Sequence, residues 1–317
     1  MCALGAAQAA APLGAQQHPS KSIGGLETIQ IRPAVHVIFG AGANVTVHTG
    51  EDGLIVVDSG STESADRLLQ AIKAISPQPI RIIVNTSADP DHIGGNAVLA
   101  AAGRGISPDP FSDADQATVL AHENVLLRMS APTGSESPFP TKMWPNDTFT
   151  SRFRPMYVND EAVQVIRQTG AHSDGDSMVL FRKADVIVTG DVLDLRQFPV
   201  IDTQKGGSIQ GELDALNRLL TEFVVPNVPL VLKPGRTLVV PGHGYVADYG
   251  EVVEYRDMVT VVRDIVQEMV GKGLTLPQVK AANPAKGYRG RWGKDTGPWT
   301  TDMFVEAVYN GLKKKGS

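Results

Sequence analysis

The chain has 317 residues, a formal net charge of -5 at neutral pH, and 42% hydrophobic against 20% charged residues. That composition is globular and large enough to build a core without staples. The mild acidity, with no basic run beyond Lys313 to Lys315, excludes a nucleic-acid partner, and a single cysteine, Cys2, excludes a disulfide framework or a Cys-rich zinc site.

Residues 1–25 read as a leader or a disordered tail: the first 17, rich in Ala and Gly with a small-residue "AQAA", lack the basic segment that opens a secretory signal. A clipped leader predicts a periplasmic or secreted protein; a plain tail leaves a cytoplasmic one. No other run approaches the ~20 apolar residues of a membrane helix, so no membrane span is expected. From residue 26 to 317 a single domain is expected, because no internal repeat and no Pro-, Gly- and Ser-rich linker divides the chain.

Short strands with turn signals come first, at "ETIQIRP", "VHVIFG", "NVTVHTG" and "GLIVVDSG". A helix is predicted at "STESADRLLQAIKAI", opened by a capping signal from Ser61 to Glu63 and carrying Leu68, Leu69, Ile72 and Ile75 at helical spacing. "IRIIVNT" follows as a buried strand. Between 106 and 150, "DADQATVLAHENVLLRMS" reads as helix and "APTGSESPFPTKMWPND" as loop, a segment able to form a lid beside a site. Strands resume at "AVQVIRQTG", "SMVLFRKA" and "DVIVTGD", then a helix around 208–224, a strand at "TLVVPGHG", and helices around 250–271 and 299–314. Strands in two groups, each followed by helices, predict two sheets packed face to face with helices outside.

Ligand-capable side chains gather where these strands end. "NTSADPDHIGGN" offers Ser87, Asp89, Asp91 and His92; "TGAHSDGD" offers His172; "VTGD" offers Asp191; "VVPGHG" offers His243. Each loop alone is more often a plain turn. Together they carry weight, because of seven histidines three fall in these loops, while His18, His36, His48 and His122 lie elsewhere and read as surface or structural groups. Imidazoles mixed with carboxylates suit Zn, Fe or Mn.

In this order of loops the sequence resembles the metallo-β-lactamase superfamily, over essentially residues 27 to 260. The family pattern is a strand, "HxHxDH", a His after the next hairpin, an Asp in "GD" and a last His in "GH". Asp58 in "VVDSG" matches the family's early Asp, which holds the ligand loop by hydrogen bonds. The resemblance implies an α/β fold, a four-layer αββα sandwich, with a binuclear site at one edge where a metal-bound hydroxide attacks an ester, lactam, lactone, thioester or phosphoester. Asp91, His92, His172, Asp191 and His243 match the family's ligands. Ser87 and Asp89 stand where the first two histidines belong.

These departures fall on one half of the centre. Site two, with Asp91, His92, His243 and the bridging Asp191, is complete and is expected to bind one metal, zinc in the first instance. Site one keeps His172, Asp89 and the shared Asp191, with Ser87 as a neutral hydroxyl, and is expected to be weak or empty with zinc. A carboxylate at the second position also resembles the flavo-diiron branch, so Asp89 suits Fe or Mn at a harder site. Asp91 and Asp89 are the candidate catalytic bases, on the expectation that two close carboxylates push one of their pKa values upward.

The expected function is therefore a metal-dependent hydrolase of a small molecule, the alternative being a non-catalytic or altered-metal member of the fold. The segment "GDVLDLRQF" has Asp194 and Arg196 where true metallo-β-lactamases often carry a carboxylate-binding Lys, which weakens a lactamase activity. The C-terminal segment does not match the glutathione-binding region of glyoxalase II and more resembles secreted relatives of the quinoprotein-associated type. Its Tyr288, Arg289, Arg291, Trp292 and Trp299 either shape a pocket rim or pack in the core or on the surface. No coiled-coil heptads stand out, so the oligomeric state is left open.

Overall fold

A computed structural model describes residues 20–106, 115–131, 135–225 and 237–313. The strands are β1 (Ser20–Ile23), β2 (Leu26–Arg32), β3 (Val35–Phe39), β4 (Val45–His48), β5 (Leu54–Val57), β6 (Ile80–Val84), β7 (Thr118–His122), β8 (Asp147–Phe149), β9 (Phe153–Val158), β10 (Glu161–Arg167), β11 (Ser177–Phe181), β12 (Val186–Asp194) and β13 (Leu238–His243). The helices are α1 (Ala65–Ile75), α2 (Pro90–Ile93), α3 (Asn96–Ala101), α4 (Glu123–Met129), α5 (Ile209–Arg218), α6 (Tyr249–Gly271), α7 (Leu276–Ala282), α8 (Arg289–Trp292) and α9 (Thr301–Lys313).

Strands β1 to β8 form one sheet in chain order, and the second runs β13-β12-β11-β10-β9. The run "LIVV" of β5 shows why they stack. Its side chains alternate, Ile55 and Val57 pointing between the sheets with Val165, Val179 and Val188 of the second sheet, Leu54 and Val56 pointing out to Leu68 and Ile72 of α1. A strand buried on both faces needs a continuous apolar run, which is what the sequence supplies. Outside the second sheet, α5, α6 and α9 cover Ile166, Met178 and Ile187 with Leu216, Tyr255 and Phe304. The result is the expected four layers, αββα, with each fully buried Val, Leu or Ile contributing roughly 1.5–3 kcal/mol.

Several elements differ from the sequence expectations. Strand β1 lies inside the stretch read as leader or tail, pairing antiparallel with β2 from Ser20 to Ile23; residues 1–19 lie outside the described residues. The stretch expected as one helix from 113 splits into β7 and α4, because Val119, Leu120 and Ala121 are buried against β6 and the chain turns helical only after His122. Residues 107–114 and 132–134 of the expected lid lie outside the described residues. Ser61 makes no side-chain cap for α1; its hydroxyl bonds Ser64 at 3.4 Å instead. The short β8 and β9 were not anticipated.

Candidate metal centre

Parallel pairing of β5 with β6, Val57 beside Val84, sets the chain ends of these strands next to each other. Asp58 directly after β5 is fully buried and accepts from Thr86 N at 2.8 Å, Thr86 Oγ1 at 2.7 Å and His92 Nδ1 at 2.9 Å. Its φ of 63° lies in the left-handed region, which Asp adopts more readily than most residues. A carboxylate oxygen accepts, so His92 Nδ1 donates in that last contact and Nε2 is the ring nitrogen left to face the site. Nε2 faces Asp191 Oδ1 at 3.1 Å.

Asp191 lies in β12 and His243 ends β13, its parallel neighbour. Between them Gly242 is required, since a Cβ there would come within 2.8 Å of Asp191 Oδ1. His243 Nε2 stands 3.2 Å from Asp91 Oδ2 and 3.5 Å from Asp191 Oδ1. Zinc ligands at their usual ~2.0–2.1 Å lie about 3.3 Å apart along a tetrahedral edge. The three donor separations of 3.1, 3.2 and 3.5 Å bracket that value. Imidazole nitrogens facing carboxylate oxygens at such distances need a proton or a metal cation between them. The donor set therefore fits a metal ion, and Asp91, His92, His243 and Asp191 would hold it.

Site one gathers the remaining residues. His172, in the loop between β10 and β11, has Nε2 3.4 Å from Asp89 Oδ2 and Nδ1 3.4 Å from Asp176 Oδ1, with Asp191 Oδ2 at 3.9 Å. Asp176, held by Ser173 N at 2.7 Å and Ser173 Oγ at 2.6 Å, stands behind His172 as Asp58 stands behind His92. Ser87 Oγ donates to Asp191 Oδ2 at 3.4 Å and accepts from Asp89 N at 3.2 Å. All six predicted ligands thus converge, in two groups: Asp91, His92, His243 and Asp89, His172, Asp191.

Electrostatics decide the protonation of these groups. Burial works against a charged His92, yet Asp191 and Asp58 raise its pKa well above the ordinary value. His172 is likewise raised, burial being outweighed by Asp176, Asp89 and Asp191. The expected upward push on one of the two candidate bases is not seen. Burial and Asp191 raise both, but His172 and Lys205 bring Asp89 down to about 2, and His243 and His92 lower Asp91. The lowering contacts outweigh burial and Asp191, so both carboxyls lie below the ordinary carboxylate range.

Residues 39–107 match the family described as the metallo-beta-lactamase superfamily. In structure the chain is similar to a double mutant of the sec-alkyl sulfatase PisA1 (TM-score 0.64, 15% identity, 89% of this chain and 49% of that one). It is also similar to a metallo-beta-lactamase from Pontibacter korlensis (TM-score 0.53, 17% identity, 77% of this chain and 99% of that one). The chain thus has the metallo-β-lactamase fold, and its residues 39–107 resemble that superfamily. A second structure, the stereoselective inverting sec-alkylsulfatase Pisa1 from Pseudomonas sp., gives a TM-score of 0.61 at 16% identity over 89% of this chain. The chain spans about half of the sulfatases, 49% of each. No curated protein matches in sequence.

Within this metallo-β-lactamase fold, Asp89, Asp91, His172, Asp191 and His243 open onto a cavity of about 350 Å³, also lined by Arg196, Val200 and Trp299. Of the five aromatic and basic residues named in the C-terminal segment, Trp299 alone lines this cavity. Trp292 is buried beside Tyr255, with Arg291 4.5 Å above its ring, and Arg289 and Arg291 pair with Asp295 and Glu254. Arg196 is clamped to Asp194 through Nε at 3.1 Å and Nη2 at 3.2 Å. His48 stacks on Phe181 at 5.0 Å and His122 caps α4 through Asn124 N, both structural roles as expected; His36 is partly buried in β3, and His18 lies outside the described residues.

Three residues escaped the sequence reading. Asp176 stood in the quoted "AHSDGD", and a partner for the second nitrogen of a ligand His is the signal that finds it. Lys205, on a short turn at Thr203–Lys205, puts Nζ 3.0 Å from Asp89 Oδ1 and 3.1 Å from Asp202 Oδ2. Burial lowers its pKa, but Asp89 and Asp202 raise it further, so it is an ammonium. Glu212 of α5 is fully buried with neither carboxylate oxygen hydrogen-bonded, and nothing local in the sequence marks it.

Proposed function

We propose that the protein is a metal-dependent hydrolase of a small ester, lactam, lactone or thioester, with one metal ion, zinc or else Fe or Mn, held by Asp91, His92, His243 and Asp191. The observation that carries this is the site-two donor set: nitrogen and oxygen donors at tetrahedral-edge separations, one imidazole held in orientation by buried Asp58. When bound, the ion supplies Lewis acidity, drawing protons from water near neutral pH and polarising a substrate oxygen.

The chain's own residues do the rest. Asp58 holds His92 to one ring orientation, so the donor geometry is set before anything binds. Asp91, 38% exposed, and Asp89, 24% exposed, reach the cavity as carboxylates. With pKa values below the ordinary, they accept hydrogen bonds from water or substrate and orient it; they are too weak as bases to store a proton at pH 7. Trp299, Val200 and Pro298 give the cavity an apolar wall against which a small acyl or alkyl group can rest.

The test is elemental analysis of purified protein, with a panel of ester, lactam, lactone and thioester substrates. A secondary alkyl sulfate belongs in the panel because the sulfatases share the fold. One stoichiometric metal, and turnover that disappears in a folded Asp91→Ala variant, is the expected result. Absence of both bound metal and metal-stimulated turnover overturns the proposal. A secretory leader in residues 1–25 would add export; N-terminal sequencing of protein from a periplasmic fraction checks it.

A further inference from the structure

The two oxygens of Asp89 face different partners. Oδ2 lies 3.4 Å from His172 Nε2, while Oδ1 receives Lys205 Nζ at 3.0 Å. The ammonium is also 3.1 Å from Asp202 Oδ2, so it sits between two carboxylates, one of them a site-one donor.

The backbone that carries Lys205 is built against the His172 loop. Asp202 Oδ1 accepts from Gln204 N at 3.0 Å and Lys205 N at 2.9 Å, which forms the turn. Asp202 N donates to the His172 carbonyl at 2.9 Å. The Lys205 carbonyl accepts from Asp174 N at 2.9 Å and from Arg128 Nη2 at 2.7 Å. The two residues that follow are glycines: Gly206 has a φ of 81°, and a Cβ on Gly207 would come within 2.0 Å of the His172 carbonyl oxygen. The loops therefore touch backbone to backbone, and the place from which the lysine reaches Asp89 is fixed.

Charge and donor chemistry at site one then point one way. An ammonium offers three N–H donors and no lone pair to a metal. It neutralises Asp89, occupies one of its oxygens, and repels a dication brought to the other. The hydroxyl of Ser87 adds no charge and is already engaged with Asp191 and with Asp89 N. We propose that the Lys205 ammonium is the resident cation of site one, standing in for the first metal ion, so that the protein binds a single metal. This rests on the reading that site two holds that metal.

The experiment counts metal on chelator-stripped full-length protein, titrated with Zn(II) and with Co(II) by calorimetry and checked by elemental analysis after dialysis. The wild type is expected to take one equivalent. Lys205→Met is expected to take two, the second at least tenfold more tightly than any second ion of the wild type, with a second d–d signature in the Co(II) spectrum. Lys205→Arg, which keeps the charge, should stay at one. Ser87→His should stay at one as well, and reach two only when combined with Lys205→Met.

Two equivalents on the wild type, or the same count in wild type and Lys205→Met, would overturn the assignment. The difference between the two proteins tests the lysine, whereas the absolute count on the wild type tests site two. None on the wild type and one on Lys205→Met would sink the site-two reading and support this one. If Lys205→Met does not melt cooperatively, Lys205→Gln replaces it, and a wild-type count of two still overturns the assignment.

Discussion

Site two and site one are made from the same loops and share Asp191, yet different things stand around their donors. Behind His92 of site two is Asp58, itself held by two hydrogen bonds from Thr86, and the donors face one another at 3.1 to 3.5 Å. Behind His172 of site one is Asp176, an equally well-held partner, but in front of it Asp89 turns one oxygen to a lysine. The two halves therefore differ in front of the imidazole rather than behind it: Asp89 of site one is paired with the Lys205 ammonium. A partly buried carboxylate such as Asp89 is stabilised by a cation held this close, which the turn at Thr203–Lys205 supplies.

The shared residue offers the sharpest break. Asp191→Ala removes the acceptor that both halves face, and the expected loss of metal affinity exceeds the roughly 10–100-fold typical of losing a partner behind a ligand. Asp89→Asn should leave the affinity for the single ion unchanged. Calorimetry on the two variants side by side checks this, and equal losses would erase the distinction between the halves.

Next in size is Asp58→Asn. Asn accepts the left-handed backbone that Asp58 adopts, so the change removes charge without adding strain. An amide no longer holds the proton on His92 Nδ1 as firmly, and metal affinity should fall by about 10–100-fold with the fold retained. Unchanged affinity would mean the Asp58–His92 pair is structural only. Smaller again, Gly207→Ala forces a methyl against the His172 carbonyl; overpacking of this kind costs about 1–3 kcal/mol. A urea melt should register that cost, and a midpoint equal to wild type would show that the two loops are not tightly docked.

How much of this was legible in the sequence follows the same division. Asp91, His92, His172, Asp191 and His243 each sit within a few residues of a strand end, and a strand end is visible as an apolar run meeting polar and Gly residues. The four layers followed from runs such as "LIVV" and "IRIIV", which have no polar face to give to water. The strand β7 was hidden because "LAHENVLLRM" continues it with mostly helix-forming residues, and it is pairing with β6, a tertiary effect, that draws Thr118–His122 into the sheet. Lys205 was hidden for a different reason. It sits on a turn far along the chain, and only the docking of that turn on the His172 loop brings its charge to Asp89.

The smallest effect concerns the group beneath site one. Glu212 is buried without a hydrogen-bond partner, and its pKa is raised well above the ordinary value, first by burial and then by Asp176 and Asp191, against a lowering by His172. Above about 4.3, where an unfolded Glu ionises, the folded state therefore holds a proton that the unfolded state has released. The stability from this group is full below that pH and is lost as pH rises towards the folded value. Glu212→Gln stays neutral throughout, so its melting temperature relative to wild type should climb by a few degrees between acidic and alkaline pH, each unit of pKa shift being worth about 1.4 kcal/mol. The amide lacks a partner as the acid does, so the slope of the difference, not its offset, is the readout. The histidines and carboxylates of the centre titrate in both proteins and largely cancel in that difference. Melting curves in chelator from pH 4 to 9 that run parallel for the two proteins would show that Glu212 is already ionised in the folded state, and that the floor of site one tolerates another negative charge.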